Sequence, residues 1–541
     1  MLTFIHNYNK QYVDGLLKHG MLQNGDGLKI TQHFATPEDM CFNNVAKKSG
    51  ELHSLVKETA SCFYVDRLQG GTYISKYPFD LALAKEYDEI TEKGFLGFQI
   101  HETASTRGLD WARIQRELKK NDLEWNYENI VYAITLISYN KQFPHFSAGF
   151  PEEYAKLTPP TTLTQYIDDL KALWKDRQKQ CDGRLLNCDA GLMLCGIEEE
   201  VGMENSFIEV GAQNGRVRTQ FALRRGISRS RGKKWGAYIE PWGGSPFSAY
   251  FFMRDKSNEW YADGSNFVYT ATDGNGGSSM SAAKRIMYYS LFSGADYFAE
   301  EWGQANTFYE WDSFELSPYG EIKKNFLKDI ARFKNVKPYV PIAMVLPREH
   351  KFFSAMGYYH DYENDMVDDL DVWKKINSYF DDEIYYGYED TILVAGKHGS
   401  LFDIIYDNSY KNPNKEYELL IDFSGRLSGE NVVNGYDREK AGEAIKKITE
   451  KLPFVLESNV GLDYQIFSNG EDKYIALYNH KGISKTQERG ETQNPNATAR
   501  YTIRQKDGRP LERVILSGEN KKDESQGMGV LYAGELALFK L

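Results

Sequence analysis

Short apolar segments alternate with amphipathic segments from residue 27 to about residue 303. Each apolar segment has the length of a buried strand, and the stretches between them, such as 81–90 and 282–292, have helical spacing. This order is typical of βα units, in which a helix covers each strand of a parallel sheet. The predicted strands are residues 28–33, 62–67, 95–102, 185–189, 206–209, 235–240 and 295–300.

So many βα units before residue 303 fit a (β/α)8 TIM-type barrel better than an open doubly wound sheet. We expect the remaining strand between residues 104 and 184, where 129–138 and 143–148 are both candidates. No dinucleotide-binding or P-loop glycine motif follows a predicted strand, which excludes the main nucleotide-binding folds. The glycine-rich stretch 273–279 is interpreted as a flexible active-site loop, with a metal site as the alternative.

The length of 541 residues predicts two to four domains, because one hydrophobic core does not grow that large. We assign residues 1–335 to the barrel and 336–455 to a small α/β domain, whose strands are expected near 342–346, 403–406 and 419–422. Residues 456–541 are predicted to form an antiparallel, β-sandwich-like domain. Its expected strands are residues 463–467, 473–478, 499–504 and 534–541.

The net charge of -12 argues against the broad basic surface that nucleic-acid binding needs. The basic stretch 224–234 is interpreted as the solvated outer face of a barrel helix. No apolar run of membrane-spanning length occurs, and the start of the chain lacks signal-peptide features, so we expect a soluble protein, cytoplasmic or exported after signal removal. The five cysteines are odd in number and form no CxxC pair, which predicts neither a disulfide scaffold nor a zinc knuckle.

Acidic residues end several of the predicted strands. In a (β/α)8 barrel the active site forms at the carboxyl ends of the strands, so acids there are placed for catalysis. A single such acid could instead cap a helix or form a salt bridge, but several together favour a functional site. The acids at these ends are Glu102, Asp189, Glu209, Glu240, Glu300 and Glu301.

Paired carboxyl groups suit glycoside hydrolysis, in which one protonates the leaving oxygen and another is the nucleophile or the base for water. Crowding of like charges raises the pKa of one carboxyl group of the pair. That group stays protonated as the acid while the other is ionised as the nucleophile or base. The 14% aromatic content adds rings on which sugars stack. Candidate stacking residues are Trp242, Trp302, Trp311 and Tyr309, and candidate hydroxyl partners are His101, Asp189, Gln213, Asn214, Glu300, Gln304 and Asn306. Side-chain alternation predicts that Glu300 points away from Glu301.

Three segments, 95–102, 235–243 and 294–302, resemble glycoside hydrolase family 98. The resemblance implies that Glu102 is the general acid and that Glu240 and Glu301 hold the attacking water. Glu240 stands where that family has an aspartate.

The order of barrel, α/β domain and β domain also resembles family 42 β-galactosidases, whose mechanism is retaining. That resemblance makes Glu240 the nucleophile, although His101 precedes Glu102 where the clan has an asparagine. Glu209 is the alternative acid in both readings, since its strand comes one βα unit before that of Glu240. Retention and inversion therefore both stay open.

The sequence thus predicts a cofactor-free and metal-free glycoside hydrolase that acts on an oligo- or polysaccharide. One alternative is a non-catalytic carbohydrate-binding barrel protein. Another is a metal-dependent barrel hydrolase that uses His33, Asp66, His101 and Asp189. Barrel hydrolases of that kind usually carry a His-x-His on the first strand, which residues 31–33 do not supply. The sugar, the linkage and the oligomeric state do not follow from the sequence.

Overall fold

A computed structural model describes most of the chain in separate stretches. These are residues 1–23, 25–31, 51–59, 62–66, 94–101, 114–115, 117–140, 154–160, 163–189, 194–211, 217–240, 279–301, 303–309, 313–348, 400–484, 491–519 and 527–541.

Eight parallel strands close into a barrel in chain order, which confirms the predicted TIM-type fold. The seven strands located in the sequence between residues 28 and 300 are all present. The strands are β1 (Thr3–Asn7), β2 (Gly27–Thr31), β3 (Cys62–Asp66), β4 (Phe95–His101), β5 (Leu185–Asp189), β6 (Phe207–Gly211), β7 (Gly236–Glu240) and β8 (Tyr297–Glu300).

The remaining strand of the barrel is β1, at the start of the chain, and not a segment between residues 104 and 184. The prediction of a strand at 129–138 is wrong, because Tyr127–Asn140 is a helix. Asn126 accepts a hydrogen bond from the backbone N–H of Asn129 at 2.9 Å, as a helix cap does. Ile130 and Ala133 are buried while Tyr132 is exposed, which is helical spacing. The other candidate, 143–148, lies outside the described residues.

The barrel strands are accompanied by helices on the chain segments between and after them. The described helices are α1 (Lys10–Lys18), α2 (Glu51–Thr59), α3 (Tyr127–Asn140), α4 (Leu163–Gln180), α5 (Leu194–Glu200), α6 (Val217–Ser230), α7 (Met280–Phe292), α8 (Gly303–Asn306) and α9 (Pro318–Arg332). α7 confirms the helix predicted at 282–292, whereas the one predicted at 81–90 lies outside the described residues. Within the stretches described above, no helix is long and apolar enough to cross a membrane.

A four-stranded parallel sheet follows the barrel, and three of its strands coincide with those expected near 342–346, 403–406 and 419–422. β9 (Val336–Pro338) leads into it, and its strands are β10 (Ile342–Leu346), β11 (Phe402–Tyr406), β12 (Leu419–Asp422) and β13 (Val432–Asn434), followed by α10 (Arg438–Thr449). The strand order is β11-β10-β12-β13.

The C-terminal β region, residues 454–541, is antiparallel. Its strands are β14 (Phe454–Ser458), β15 (Asp463–Asn469), β16 (Asp472–Tyr478), β17 (Ile483–Ser484), β18 (Thr492–Gln493), β19 (Ala499–Gln505), β20 (Glu512–Val514), β21 (Met528–Leu531) and β22 (Leu536–Lys540). They form a sheet β14-β19-β21, a sheet β20-β22-β16-β15-β9 and a ribbon β17-β18. Short 3-10 helices occur at Pro413–Lys415 and Pro495–Ala497.

The chain divides into two compact units. The first unit comprises Met1–Leu22, Ile208–His350 and Ile384–Leu541, and the second comprises Gln23–Phe207 and Lys351–Glu383. The first unit therefore contains the barrel strands β1, β7 and β8 and most of β6. It also contains the parallel sheet after the barrel and the antiparallel C-terminal β region.

The basic stretch 224–234 docks the barrel onto the parallel sheet. Arg225 is buried and donates to Asp403 Oδ1 at 2.6 Å and to the Phe402 carbonyl at 2.9 Å, and Arg229 donates to Asp403 Oδ2 at 2.9 Å. A Cβ at Gly226 would lie 2.3 Å from the Ile404 carbonyl oxygen, so only glycine permits this approach of α6 to β11. The expectation of a solvated helix face is therefore wrong for the α6 part of this stretch.

One hydrophobic core joins barrel helices to the C-terminal β region. Phe292 of α7 stacks on Phe467 of β15 with ring centroids 4.3 Å apart, and Phe333 contacts both Phe467 and Tyr474 edge-on. Tyr289 of α7 also contacts Tyr478 of β16. The C-terminal β region thus covers apolar surface of α7 and of the chain after α9.

Candidate active site

Strand alternation in the first unit separates the side chains that face the barrel interior from those that face the helices. Ile208 and Val210 of β6 pack in the same hydrophobic core as residues of α6 and α7. Because successive side chains point to opposite faces, Glu209 faces the interior. Its side chain is 1% exposed.

The same rule applies to β7. Ala237 and Ile239 belong to the helix-facing core, so Tyr238 faces the interior. Glu240 comes two residues after Tyr238, at the carboxyl end of the strand, so the two positions share one face. β6 and β7 are neighbours in the barrel, so Glu209 and Glu240 belong to adjacent strands.

Glu300, the last residue of β8, faces the helices. Tyr12 of α1 donates to its Oε1 at 3.2 Å, Tyr319 of α9 donates to Oε2, and Lys323 of α9 forms an ion pair with Oε1. A Cβ at Gly303 would overlap this carboxylate, so the turn after β8 closes tightly around it. The enclosure of this carboxylate by Lys323, Tyr12 and Tyr319 argues against the substrate-binding role predicted for Glu300, which stays a prediction.

The charge on Glu300 is stabilised by its partners. Burial by itself would raise the pKa of Glu300, but the Lys323 ammonium and the hydrogen bonds from Lys323 and Tyr319 outweigh it and hold the pKa below its usual 4.5. Burial and the nearby Glu300 charge raise the pKa of Tyr12 and of Tyr319 well above the ordinary value, so both hydroxyls remain donors. Glu300 is therefore an ionised structural carboxylate at neutral pH.

Glu301 follows Glu300, and alternation puts it on the opposite face of the strand end. Its side chain is 5% exposed, and its backbone N–H donates to the Ile239 carbonyl at 2.8 Å. Ile239 is the register partner of Glu300, so Glu240 and Glu301 are the next pair along the two strands. On the other side of β8, Ile5 is the partner of Ala299, which makes Asn7 the corresponding position of β1.

Glu240, Glu301 and Asn7 thus form a row across β7, β8 and β1 at the carboxyl ends of these strands, which we call the rim row. Below it lie Tyr238, Ala299 and Ile5, all of which are buried. Asn7 was missed in the sequence because β1 has only two apolar residues, Phe4 and Ile5, among its five. The rim row carries two carboxyl-bearing positions and one amide.

In the second unit, a contact of β5 shows which side chains face the helices and which face the barrel interior. Asn187 donates to Glu198 of α5 at 2.7 Å and therefore faces the helices. Alternation puts Asp189 in that helix-facing series and Cys188 in the interior series. His101 of β4 is the register partner of Cys188, so it shares the interior series and is 8% exposed.

Lys29 of β2 is the register partner of Tyr64 of β3, and Tyr64 in turn pairs with Gly97 of β4, two residues before Gln99. Lys29 therefore belongs to the same series as Gln99 and His101, and it is almost fully buried. No sequence motif had singled it out, because a lysine in an apolar run is usually solvated at its tip.

Several predicted site residues lie outside the described residues, namely His33, Glu102, Gln213, Asn214, Trp242, Trp302 and Trp311, together with the side chains of Asp66, Glu240 and Gln304. Of the remaining candidates, Asn306 is fully buried, and Tyr309 is 38% exposed. The roles predicted for all of these residues remain predictions.

No protein-family model matches the chain, and no curated protein matches it in sequence. Among solved structures the chain is similar to a catalytic mutant of Gan42B, a GH42 β-galactosidase from G. stearothermophilus, with a TM-score of 0.45, 9% identity and coverage of 100% of this chain and 98% of that one. It is also similar to α-L-fucosidase isoenzyme 2 from Paenibacillus thiaminolyticus, with a TM-score of 0.45, 8% identity and coverage of 100% and 99%.

A third similar structure is the catalytic module of a family 98 glycoside hydrolase from Streptococcus pneumoniae, with a TM-score of 0.39, 8% identity and coverage of 93% of this chain and 80% of that one. Family 98, which the sequence motifs resemble, and family 42, which the domain order resembles, are thus both among the structural neighbours. At these TM-scores and identities the likenesses carry no functional inference, which has to come from the residues of the chain itself.

Proposed function

We propose that the chain is a glycoside hydrolase whose reaction takes place at the rim row. Glu240 and Glu301 are the pair that acts as nucleophile or as base for water. Glu209 or Glu102 is the proton donor. The observation that supports this most directly is the register of β7 and β8, in which Glu240 and Glu301 follow the pair Ile239 and Glu300 at the carboxyl ends of adjacent strands.

The contrast between Glu300 and Glu301 supports the assignment. The Glu300 carboxylate is occupied by Lys323, Tyr12 and Tyr319 on the helix side. Glu301 takes the interior side, where a substrate enters a barrel of this kind. Glu209, on the strand before that of Glu240, also faces the interior, so three of the predicted acids belong to neighbouring strands of one face.

The stereochemical course is the finer part of the proposal. Carboxyl groups about 5–5.5 Å apart lead to retention, and a separation of about 6.5–9.5 Å leaves room for a water and leads to inversion. Proton NMR of the first-formed anomer distinguishes the two outcomes. Retention supports Glu240 as the nucleophile, and inversion supports Glu240 and Glu301 as the residues that hold the water.

The test is an activity screen on aryl glycosides and oligosaccharides, followed by Glu240→Gln. This substitution keeps the shape of the side chain and removes its charge, so kcat should fall by roughly 100-fold or more while the substrate still binds. Glu443→Gln, at an exposed position of α10, is the matched control and should leave kcat unchanged.

A Glu240→Gln enzyme that keeps more than about a tenth of its kcat moves the site elsewhere. Glycan binding without turnover of any substrate favours the non-catalytic binding protein. Loss of activity on chelation by EDTA, with recovery on adding a divalent metal, favours the metal-dependent hydrolase.

A further inference from the structure

A carboxylate from the C-terminal β region caps the helix that follows the Glu240 strand. Glu491 lies next to β18 in the ribbon, and its Oε2 accepts the backbone N–H of Ser281 at 3.0 Å and the hydroxyl hydrogen of Ser279. Ser279 is the N-cap of α7, fully buried, and its hydroxyl oxygen accepts from the Ala282 N–H at 3.1 Å. The first turn of α7 is therefore held by one residue of its own and one from the ribbon.

The helix depends on this distant acid because its own first turn contains none. The free N–H groups at a helix start and the positive end of its dipole favour a negative charge there. Within its first turns α7 instead carries Lys284, which is a cation. Glu491 thus supplies the charge that the local sequence lacks, from a point 210 residues further along the chain.

A second contact fixes the same part of α7. Arg285, one turn after Ser281, is fully buried and lies 2.7 Å from Nδ1 of His480 in the segment after β16. An arginine only donates, so Nδ1 of His480 is the acceptor. The Nε2 of the same ring is then the protonated nitrogen that donates to Asp463 of β15 at 3.1 Å.

The position of this contact relates it to the rim row. In a βα unit the helix starts at the same end of the barrel as the carboxyl end of the preceding strand, which is the catalytic face. α7 is the next described helix after β7, and its residues Ala283 and Ile286 lie in the same hydrophobic core as Ala237 and Ile239 of β7, the strand that ends at Glu240. A contact that fixes the first turn of α7 therefore fixes the helix that packs on β7.

We propose that Glu491 is a positioning residue, through which the C-terminal β region holds the first turn of α7 and thereby the helix that packs on β7, the strand that ends at Glu240. The catalytic part of this inference rests on the proposed glycoside hydrolase function. The structural part does not.

The experiment compares Glu491→Ala, Glu491→Asp and the control Glu471→Ala in the full chain. Glu471 is exposed in the turn between β15 and β16. Two readouts are measured, hydrogen exchange of peptides covering residues 280–287 and kcat and KM on a substrate found in the activity screen. Both are measured at a temperature where urea titration shows each variant to be folded.

Glu491→Ala should speed exchange at the start of α7 and lower kcat/KM by about tenfold or more, because small displacements of reacting groups are costly. Glu491→Asp keeps the charge, so its exchange rate and its kcat/KM should both lie closer to those of the wild type. The control Glu471→Ala should change neither the exchange rate nor kcat/KM. Unchanged exchange in Glu491→Ala overturns the capping role. Faster exchange with unchanged kcat/KM overturns the positioning role.

A failure of the proposed function has a different signature. A wild-type protein without glycosidase activity on any substrate overturns the glycoside hydrolase assignment. Faster exchange in Glu491→Ala, rescued in Glu491→Asp, then still supports the fixing of α7 by the C-terminal β region.

Discussion

Glu300 and Lys323 form an ion pair from which solvent is completely excluded, with both side chains 0% exposed. The Lys323 ammonium also lies 4.8 Å from the centre of the Phe4 ring and 5.1 Å from that of Tyr12. The pair joins the end of β8 to α9, one residue before Glu301. It therefore ties the backbone at the rim row to the helix layer.

Lys323→Met should destabilise the protein by about 3–5 kcal/mol, because it leaves the buried Glu300 charge without its counterion. Urea unfolding at neutral pH measures the change. Lys328→Met, an exposed position on the same helix, is the control and should change the free energy of unfolding by about 0.5 kcal/mol or less. Equal losses in the two variants contradict a structural role for the pair.

The same pair predicts a pH dependence. The folded-state pKa of Glu300 lies below the ordinary 4.5, so its contribution to stability is complete above that value and is lost as the pH falls through the folded-state pKa. The stability difference between wild type and Glu300→Gln should thus be large at neutral pH and shrink below about pH 4.5. Urea midpoints of both proteins across this range measure it, and Asp463, whose pKa is raised by burial, titrates in both and cancels. A difference that does not change with pH contradicts the assignment.

How far the sequence predicts this molecule depends on the range of the interactions concerned. Alternation within β8 is local, and it predicts that Glu300 and Glu301 lie on opposite faces. The partners of Glu300 on α1 and α9 agree with the half of this prediction that concerns Glu300. β1 was not predicted because a five-residue strand with a polar carboxyl end has no pattern of its own. Its pairing with its neighbours, such as Thr3 to Ile5 with Tyr297 to Ala299 of β8, makes it part of the barrel.

Contacts between distant segments were also beyond the sequence. The basic stretch of α6 was interpreted as solvated because its partner, Asp403, lies 178 residues after Arg225. Glu491 could not be related to α7 for the same reason. The acids of the rim were predictable since strand ends carry them, whereas the partners that distinguish one acid from another come from the fold.

A chain that stops at Asn335 should fold poorly. Removal of the rest exposes Phe292 and Phe333, which pack on Phe467, and leaves buried Arg225 without Asp403. Each large apolar side chain brought into water costs roughly 1.5–3 kcal/mol. We expect aggregation or a much lower Tm, measured by light scattering and calorimetry. Co-expression of residues 336–541 should restore solubility, and a shortened chain with the full-length Tm contradicts the shared core.

Glu300→Gln and Glu301→Gln offer the sharpest test of the rim row, because the same isosteric change is made at adjacent residues on opposite faces of one strand end. Glu301→Gln removes a charge on the interior side, so kcat should fall by about 100-fold or more with little change in the free energy of unfolding. Glu300→Gln leaves Lys323 unpaired, so stability should fall while the kcat of the folded fraction stays within a few-fold of wild type.

The two variants therefore serve as controls for each other when kcat, KM and urea unfolding are measured on the same preparations. Loss of the Glu300 charge lowers the share of protein that is folded, but it does not change the reacting atoms. Dividing the activity by the folded fraction therefore separates an effect on stability from an effect on kcat. A Glu301→Gln protein with wild-type kcat removes Glu301 from the reaction. A Glu300→Gln protein that is fully stable but inactive reverses the assignment of the two faces, since the acid beside Lys323 is then the one that reacts.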